Sequence, residues 1–319
     1  MDSDDATAVA ATFDLGAVVA SPTFVARGAT GFIWKLTTSR GSFAVKRLLP
    51  YVLEERVPFD VEVQLAAADA GIPLPRPVLA PDGAAMVDRT RVYEWVDLDP
   101  PFEWPITTAL AHALGDILGR LHALAIEPPQ PINDWYTTPP AHEQWLDLLD
   151  RGRAADAPWT AWLANEITFL DEVGARAAEQ PVGTAITCHR DFAPGNVPPS
   201  ADLGTPVVLD WENAGAMTPD AELAFSVVLW TVDGDCANRE AAIALRDAYE
   251  TSAGSVPALI PASFGVSLMT HVNFLKVNCD GSLDEAQRGP FTDDWIEQLH
   301  PTRLRRRLVA IDELIRLLT

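Results

Sequence analysis

The sequence predicts an α+β fold in two lobes: a small amino-terminal lobe of β-sheet with one key helix, then a larger, mainly helical lobe. Three observations carry this. Between Phe13 and Asp97, short β-branched and aromatic runs alternate with glycine and proline turns. From Thr107 onward, apolar residues recur at three- and four-residue steps in one segment after another. The stretch 187–212 gathers two carboxylates and an amide on short connections beside apolar runs. The 319 residues suffice for two such lobes. The proline-broken run 99–105 places the boundary at residue 97, giving lobes of 1–97 and 98–319.

Composition excludes several classes. Hydrophobic residues make up 48% and charged residues 21%, as in an ordered globular protein. Net charge is −22, the wrong sign for a nucleic-acid partner, which needs a basic surface to displace counterions. No apolar run reaches the roughly 20 residues that span a bilayer, so no membrane partner is expected. The acidic start Met1-Asp2-Ser3-Asp4-Asp5 lacks the basic opening of a signal peptide, and a cytoplasmic location is the expectation. Cys188, Cys236 and Cys279 are an odd, scattered set that reads as reduced thiols, Cys188 among them a buried inert one.

In chain order, residues 1–12 read as a frayed arm. Runs 24–27, 32–37 and 42–48 read as strands, joined by Gly28-Ala29-Thr30-Gly31 and by a turn at Arg40-Gly41. A helix is expected over 58–70, with Pro58 at its first position and Gly71 just past its end. Residues 77–80 and 85–87 read as two strands around Pro81-Asp82-Gly83, and 92–97 as a further strand. Thr107 to Leu124 is an amphipathic helix ending in Leu121-His122, with His122 a structural histidine. Residues 125–145 form a Pro/Trp-rich insert that either covers a ligand site or packs back on its lobe. Helical patterns follow over 144–149, 159–178, 242–249, 264–278 and 303–318, the last a core-packed terminal helix with Arg305, Arg306 and Arg307 interleaved.

The chemistry concentrates at Thr187-Cys188-His189-Arg190-Asp191-Phe192-Ala193-Pro194-Gly195-Asn196, followed by Val207-Val208-Leu209-Asp210-Trp211-Glu212. The apolar runs 185–186 and 207–209 read as buried strand pieces holding Asp191, Asn196 and Asp210. Three such oxygen donors suit Mg²⁺, which takes a few protein oxygens together with waters and phosphates.

His-Arg-Asp followed five residues later by Asn, then apolar-Asp-Trp-Glu, resembles the catalytic loop and metal-binding segment of the aminoglycoside phosphotransferase and choline kinase-like family, the small-molecule branch of the protein-kinase-like fold. The resemblance covers about residues 24–232 and implies a bilobal kinase-like fold. Asp191 would then act as the base or hydroxyl-orienting group, and Asn196 and Asp210 would hold Mg²⁺. Gly28 and Gly31 would let the backbone close over the phosphates of ATP or GTP. In Ala44-Val45-Lys46, Lys46 would pair the phosphates and Ala44 would pack on the base. Its rivals are Lys35, too near the glycine turn, and Arg47, on the opposite strand face. Glu62, with Asp60 as runner-up, would orient Lys46 from the helix. The main chain of Glu94 and Val96 would meet the base edge.

Two departures stand out. Glu222 takes the place where the family more often has the Asp that braces the catalytic loop, and Arg190 stands where Gly is common, calling for a local carboxylate partner. No Asp-Phe-Gly or Ala-Pro-Glu pair brackets a peptide-binding segment, which weighs against a protein kinase. The resemblance implies transfer of a γ-phosphoryl group to a hydroxyl of a small molecule: an aminoglycoside-like antibiotic, an amino alcohol or a sugar. A cationic acceptor suits the acidic field, with Glu212, Asp293, Asp294 and Glu297 as candidate partners. The alternative reading is a non-catalytic nucleotide-binding or scaffold protein, against which Lys46, Asp191, Asn196 and Asp210 all stand intact.

Overall fold

The computed structural model describes residues 1–28, 30–50, 54–179, 183–254, 258–284 and 292–319, so Ala29 of the glycine turn lies outside it. The chain folds as two compact units, each discontinuous in sequence: Met1–Phe102 with Asp191–Ala214, and Glu103–Arg190 with Gly215–Thr319.

The first unit opens with helix α1 (Ser3–Thr12), not with a frayed arm. Asp2 caps it, its carboxylate accepting from the Asp5 amide at 2.9 Å, and Asp4 and Asp5 complement the positive end of the helix dipole. Ala6, Val9, Ala10 and Phe13 recur at helical spacing and pack on Leu36, Val45 and Val92 of the sheet. That sheet holds β1 (Thr23–Arg27), β2 (Gly31–Thr38), β3 (Gly41–Leu48), β4 (Pro77–Val78) and β5 (Thr90–Glu94) in the order β1-β2-β3-β5-β4, every neighbouring pair antiparallel. Helix α2 (Val57–Asp69) lies between β3 and β4 in sequence, Pro58 sits in its first turn, and Gly71 beyond its end takes φ 76°.

Two expectations change here. Residues 85–87 form no strand; Val87 makes only an isolated bridge to Thr90. Nor does 207–209 form one. Its amides are taken by single loop carbonyls, Val207 N–H by Pro198, Val208 by Pro73 and Leu209 by Asn196, each at 2.8 Å. Apolar content alone mistook buried loop for strand, since Val207 and Val208 are fully enclosed.

The second unit is helical: α3 (Thr108–Ala123), α4 (His142–Ala154), α5 (Thr160–Ala177), α6 (Pro219–Thr231), α7 (Arg239–Ala253), α8 (Gly265–Gly281), α9 (Thr292–Gln298) and α10 (Pro301–Leu318). Two small ladders join them, β6 (Ile186–Cys188) with β7 (Gly215–Met217) and β8 (Val232–Asp233) with β9 (Cys236–Ala237). The insert 125–145 packs back on its own unit. Asn273 of α8 donates to the carbonyls of Trp135 and Thr138, Trp135 meets Phe274 edge-on at 4.9 Å, and Tyr136 is buried with Cys188 and Phe225. Among the described residues, no helix is long and apolar enough to cross a membrane.

Helices α3 and α7 approach closely because Gly115 and Gly119 present no side chain. A Cβ on Gly115 would lie 2.1 Å from the Leu245 carbonyl oxygen, and one on Gly119 2.7 Å from that of Tyr249. Gly115→Ala is therefore expected to lose roughly 1–3 kcal/mol by overpacking, despite a helix-propensity gain of about 1 kcal/mol. A denaturant-unfolding midpoint at or above wild type would show that the helices can part without cost.

Candidate active site

Of the residues singled out, Gly28, Ala44, Lys46, Glu94, Val96, Asn196 and Asp210 line one cavity of about 370 Å³ within the first unit. Its walls include Gly28, Thr30, Ala44, Lys46, Glu94, Val96, Asn196, Asp210 and Glu212. Strand alternation explains the placement. On β3, Val45 faces the α1 core, and Arg47 on the same face pairs with Asp5 of α1 at 3.3 Å. Ala44 and Lys46 face the other way, opposite Tyr93 and Arg91 of β5, and all four line the cavity. Lys35, the other rival, is engaged elsewhere, on Asp97 at 3.4 Å and over the Trp95 ring.

Gly31 does not line the cavity, yet its place could not hold a side chain. A Cβ there would lie 2.6 Å from the Arg47 carbonyl oxygen and 3.4 Å from Lys46 Cε. Gly28 N–H donates to the Gly31 carbonyl at 2.8 Å and closes the turn.

The partner of Lys46 differs from the sequence expectation. Glu62 is exposed on α2 and makes no ion pair with Lys46 among the described residues. Instead Lys46 Nζ donates to Glu212 Oε1 at 2.5 Å and stands 3.8 Å from Asp210 Oδ1. Glu212 also accepts from the Thr30 hydroxyl at 2.8 Å and from Arg91 Nη1 at 3.4 Å. Asp60, the runner-up, is buried but faces Arg91 at 3.9 Å rather than Lys46. Among the described residues, the hydrogen bonds and ion pairs that link α2 to Lys46 run through Asp60, Arg91 and Glu212. Helical spacing separated Glu62 from Asp60 correctly as lying on different faces, but it could not say which cation the inward one would meet. Arg91 and Thr30 were not foreseen; the signal for Arg91 was its register opposite Lys46.

Two carboxylates and one loop geometry set the electrostatics. Burial pushes Asp210 up to about 7, helped by its hydrogen bond to Glu212 and by the charges of Glu212 and Asp191, and opposed by Lys46. Burial works the same way on Glu212, but the Lys46 ammonium and the hydrogen bonds from Asp210, Lys46 and Thr30 overcome it and hold Glu212 low. Asp210 sits in the left-handed region at φ 57°, ψ 61°, a conformation costly for a non-glycine residue and kept where the surroundings dictate it. Burying the next ring, with Trp211 Nε1 donating to the Val208 carbonyl at 3.1 Å, fixes that turn.

This donor set fits a divalent cation. Asn196 Nδ2 donates to the Asp191 carbonyl at 3.1 Å, which leaves its Oδ1 available to a cation, and Asn196 and Asp210 line the same cavity. An Asp pressed toward holding a proton by desolvation, and further by two neighbouring carboxylates, is where a cation would replace that proton. Asp191 does not line the cavity itself, but its charge is felt at Asp210.

In the second unit, the strand before Asp191 is braced by Glu222. Its carboxylate accepts from the His189 amide at 3.1 Å and from the Arg190 amide, so the longer side chain still reaches the loop. It also takes His122 Nε2 at 2.6 Å, while His122 Nδ1 meets the Tyr249 hydroxyl at 2.7 Å. His122, Cys188 and Glu222 cluster as a metal site might. Both ring nitrogens of His122 are already engaged, and burial drives the Cys188 thiol far from its thiolate, so the cluster is a hydrogen-bonded brace. Arg190 lies over the Tyr136 ring at 5.0 Å, at φ 64°, and its guanidinium fills the space beside Gly215.

Two tests address the Lys46 relay. Glu212→Gln should cost about 1–3 kcal/mol of stability by weakening charged hydrogen bonds to a buried cation, whereas Glu62→Gln should stay within about 0.5 kcal/mol of wild type. Equal losses would restore Glu62 as the partner. Burial lifts Asp60 from 3.8 to about 7, against the pull of Arg91 and Arg56. Its proton is thus held more tightly folded than unfolded, a contribution present below pH 3.8 and lost as pH rises to about 7. The stability of Asp60→Asn relative to wild type should therefore climb over that window and level off above it; a relative stability that falls as pH rises through the acid range would instead place Asp60 in a plain ion pair.

Comparison with known proteins gives a consistent result. A search of curated proteins finds no match. Solved structures match the fold along nearly the whole chain. Spectinomycin phosphotransferase in complex with ADP and spectinomycin has a TM-score of 0.70 at 11% identity, covering 97% of this chain and 98% of the other. Choline kinase from Streptococcus pneumoniae gives 0.64 at 15%, covering 96% and 99%. An aminoglycoside phosphotransferase from Alicyclobacillus acidocaldarius gives 0.60 at 19%, covering 97% and 95%. The fold is therefore the α+β, protein-kinase-like fold of small-molecule kinases. The sequence pattern of the phosphotransferase enzyme family matches residues 23–255, the span that holds the cavity and the Asp191–Glu212 segment, and the chain belongs to that family.

Proposed function

We propose that this phosphotransferase moves the γ-phosphoryl group of a Mg²⁺-bound nucleoside triphosphate, ATP in the first instance, to a hydroxyl of a small molecule. The observation that carries the reading is the convergence of Lys46, Asn196 and Asp210 on one cavity with an apolar wall of Ile33, Ala44 and Leu209. The apolar wall suits a flat base, with the main chain at Glu94 and Val96 along its edge. Lys46 offers an ammonium to phosphate oxygens, and Glu212 takes the positioning role that the helix acid was expected to play. Asn196 and Asp210 would hold Mg²⁺, which when bound neutralises charge developing on the phosphates. Asp191 orients the acceptor hydroxyl and receives its proton as the oxygen attacks phosphorus. Rate enhancement then rests on positioning and charge stabilisation, as phosphoryl transfer requires.

The acceptor belongs to the class of hydroxyl-bearing small molecules such as aminoglycoside-like antibiotics, amino alcohols and sugars. The solved structures of similar fold include enzymes named for spectinomycin and for choline. The chain's charge of −22 favours cationic members of that class.

The experiment is an ATP-consumption screen of amines, sugars and antibiotics with Asp191→Ala as the blank. Asp191→Ala should lose at least about 10²-fold in kcat while keeping the stabilisation given by Mg-ADP. Asp210→Ala should lose that stabilisation. Turnover near wild type in Asp191→Ala, or an unchanged Mg-ADP shift in Asp210→Ala, would remove the corresponding role.

A further inference from the structure

The second unit contains a cavity of about 810 Å³ that takes no part in the nucleotide reading, although Asp294 and Glu297, two of the acids offered to a cationic acceptor, border it. Three arginines of α10, Arg303, Arg306 and Arg307, line it; their spacing of three and four puts them on one helix face. Two arginines of this helix have carboxylate partners. Arg305, on the same helix, pairs with Glu166 at 2.7 Å and lies over Phe169 at 3.8 Å. Arg303 pairs loosely with Glu297 at 3.4 Å, both side chains more than half exposed.

Arg306 and Arg307 are treated differently. Neither makes an ion pair or a hydrogen bond among the described residues, although Asp233, Asp294 and Glu297 also border the cavity. Arg307 is part-buried, and its Nε is shut off from solvent with no acceptor in reach. Burial is what lowers the charge preference of its guanidinium, and no carboxylate among the described residues offsets it. His271 on the same wall offers no counter-charge. Its Nε2–H donates to the Leu299 carbonyl at 2.9 Å, and burial keeps the ring neutral. An enclosed guanidinium without a counterion is expensive, and in a chain with 45 acidic residues against 23 basic ones a carboxylate from the protein would have been the easy remedy. The remaining donor-rich wall, open to a cavity that holds a metabolite-sized molecule, points outward for its partner.

We propose that this cavity binds a small anionic ligand through a carboxylate or phosphate group, with Arg306 and Arg307 as its anchors. The guanidinium fork suits either group, because both present paired oxygens to parallel N–H donors. The site is separate from the nucleotide reading, and its success or failure leaves that reading untouched.

The test is calorimetric titration of the full chain with inorganic phosphate and, separately, with citrate, at ionic strength held constant with NaCl. It is run in a Lys46→Gln background, so that the nucleotide cavity contributes no phosphate binding through its lysine. Saturable binding of either probe is expected, weakened about tenfold or more by Arg307→Gln and again by Arg306→Gln. Binding of phosphate alone would assign phosphorylated ligands, and binding of citrate alone carboxylate ligands. Should Arg307→Gln fail to fold, the exposed Arg306→Gln decides. Titrations indistinguishable from NaCl, or binding equal in parent and arginine variants, would overturn the assignment.

Discussion

The first unit depends on where one ammonium group goes. Lys46 is brought up on the sheet face opposite the α1 core, and at that point it must be both enclosed and charged. Glu212 answers it, and in doing so ties β3 to the turn that carries Asp210. The same carboxylate gathers Thr30 from the glycine turn and Arg91 from β5. One acid therefore collects groups from three other stretches of chain, β3, the glycine turn and β5. Asp210, desolvated at the cavity wall and beside Glu212 and Asp191, is held toward its protonated form in spite of Lys46.

That arrangement also gives the segment Asp191–Ala214 its character. It packs with Met1–Phe102, while the strands at its two ends, β6 and β7, pair with each other in the second unit. The reactive groups thus leave one two-stranded ladder and return to it, with Glu222 holding the departing backbone through the amides of His189 and Arg190. The left-handed backbone at Arg190 and at Asp210 is what such abrupt redirection demands.

Much of this was legible in the sequence, for identifiable reasons. Of the three residues named from loop spacing, Asn196 and Asp210 line the cavity, and Asp191 acts on Asp210 through its charge. Period-two alternation put Lys46 and Arg47 on opposite faces, and the structure bears that out through Arg47 and Asp5. Long amphipathic helices such as α3 and α10 were visible because their apolar stripes are wide. What was missed depends on contacts that no local pattern encodes. Glu62 was preferred over Asp60, but the register of β3 against β5 sets Arg91 beside Lys46 and gives the inward Asp60 a different cation. The helix α1 was hidden by its acidic composition, although the Asp2 cap and the Ala6, Val9, Ala10 stripe were there to be read. Residues 207–209 looked like strand because burial, not pairing, governs their composition.

The central claim is that Lys46, Asn196 and Asp210 form one site for a metal-bound triphosphate. The most direct measurement is anomalous scattering from crystals grown with Mn²⁺ and a non-hydrolysable ATP analogue. The account predicts a manganese peak within coordination distance of the Asn196 amide oxygen and the Asp210 carboxylate, with phosphate oxygens on Lys46 Nζ. A nucleotide bound elsewhere, or one bound here with no metal at those two side chains, would contradict it.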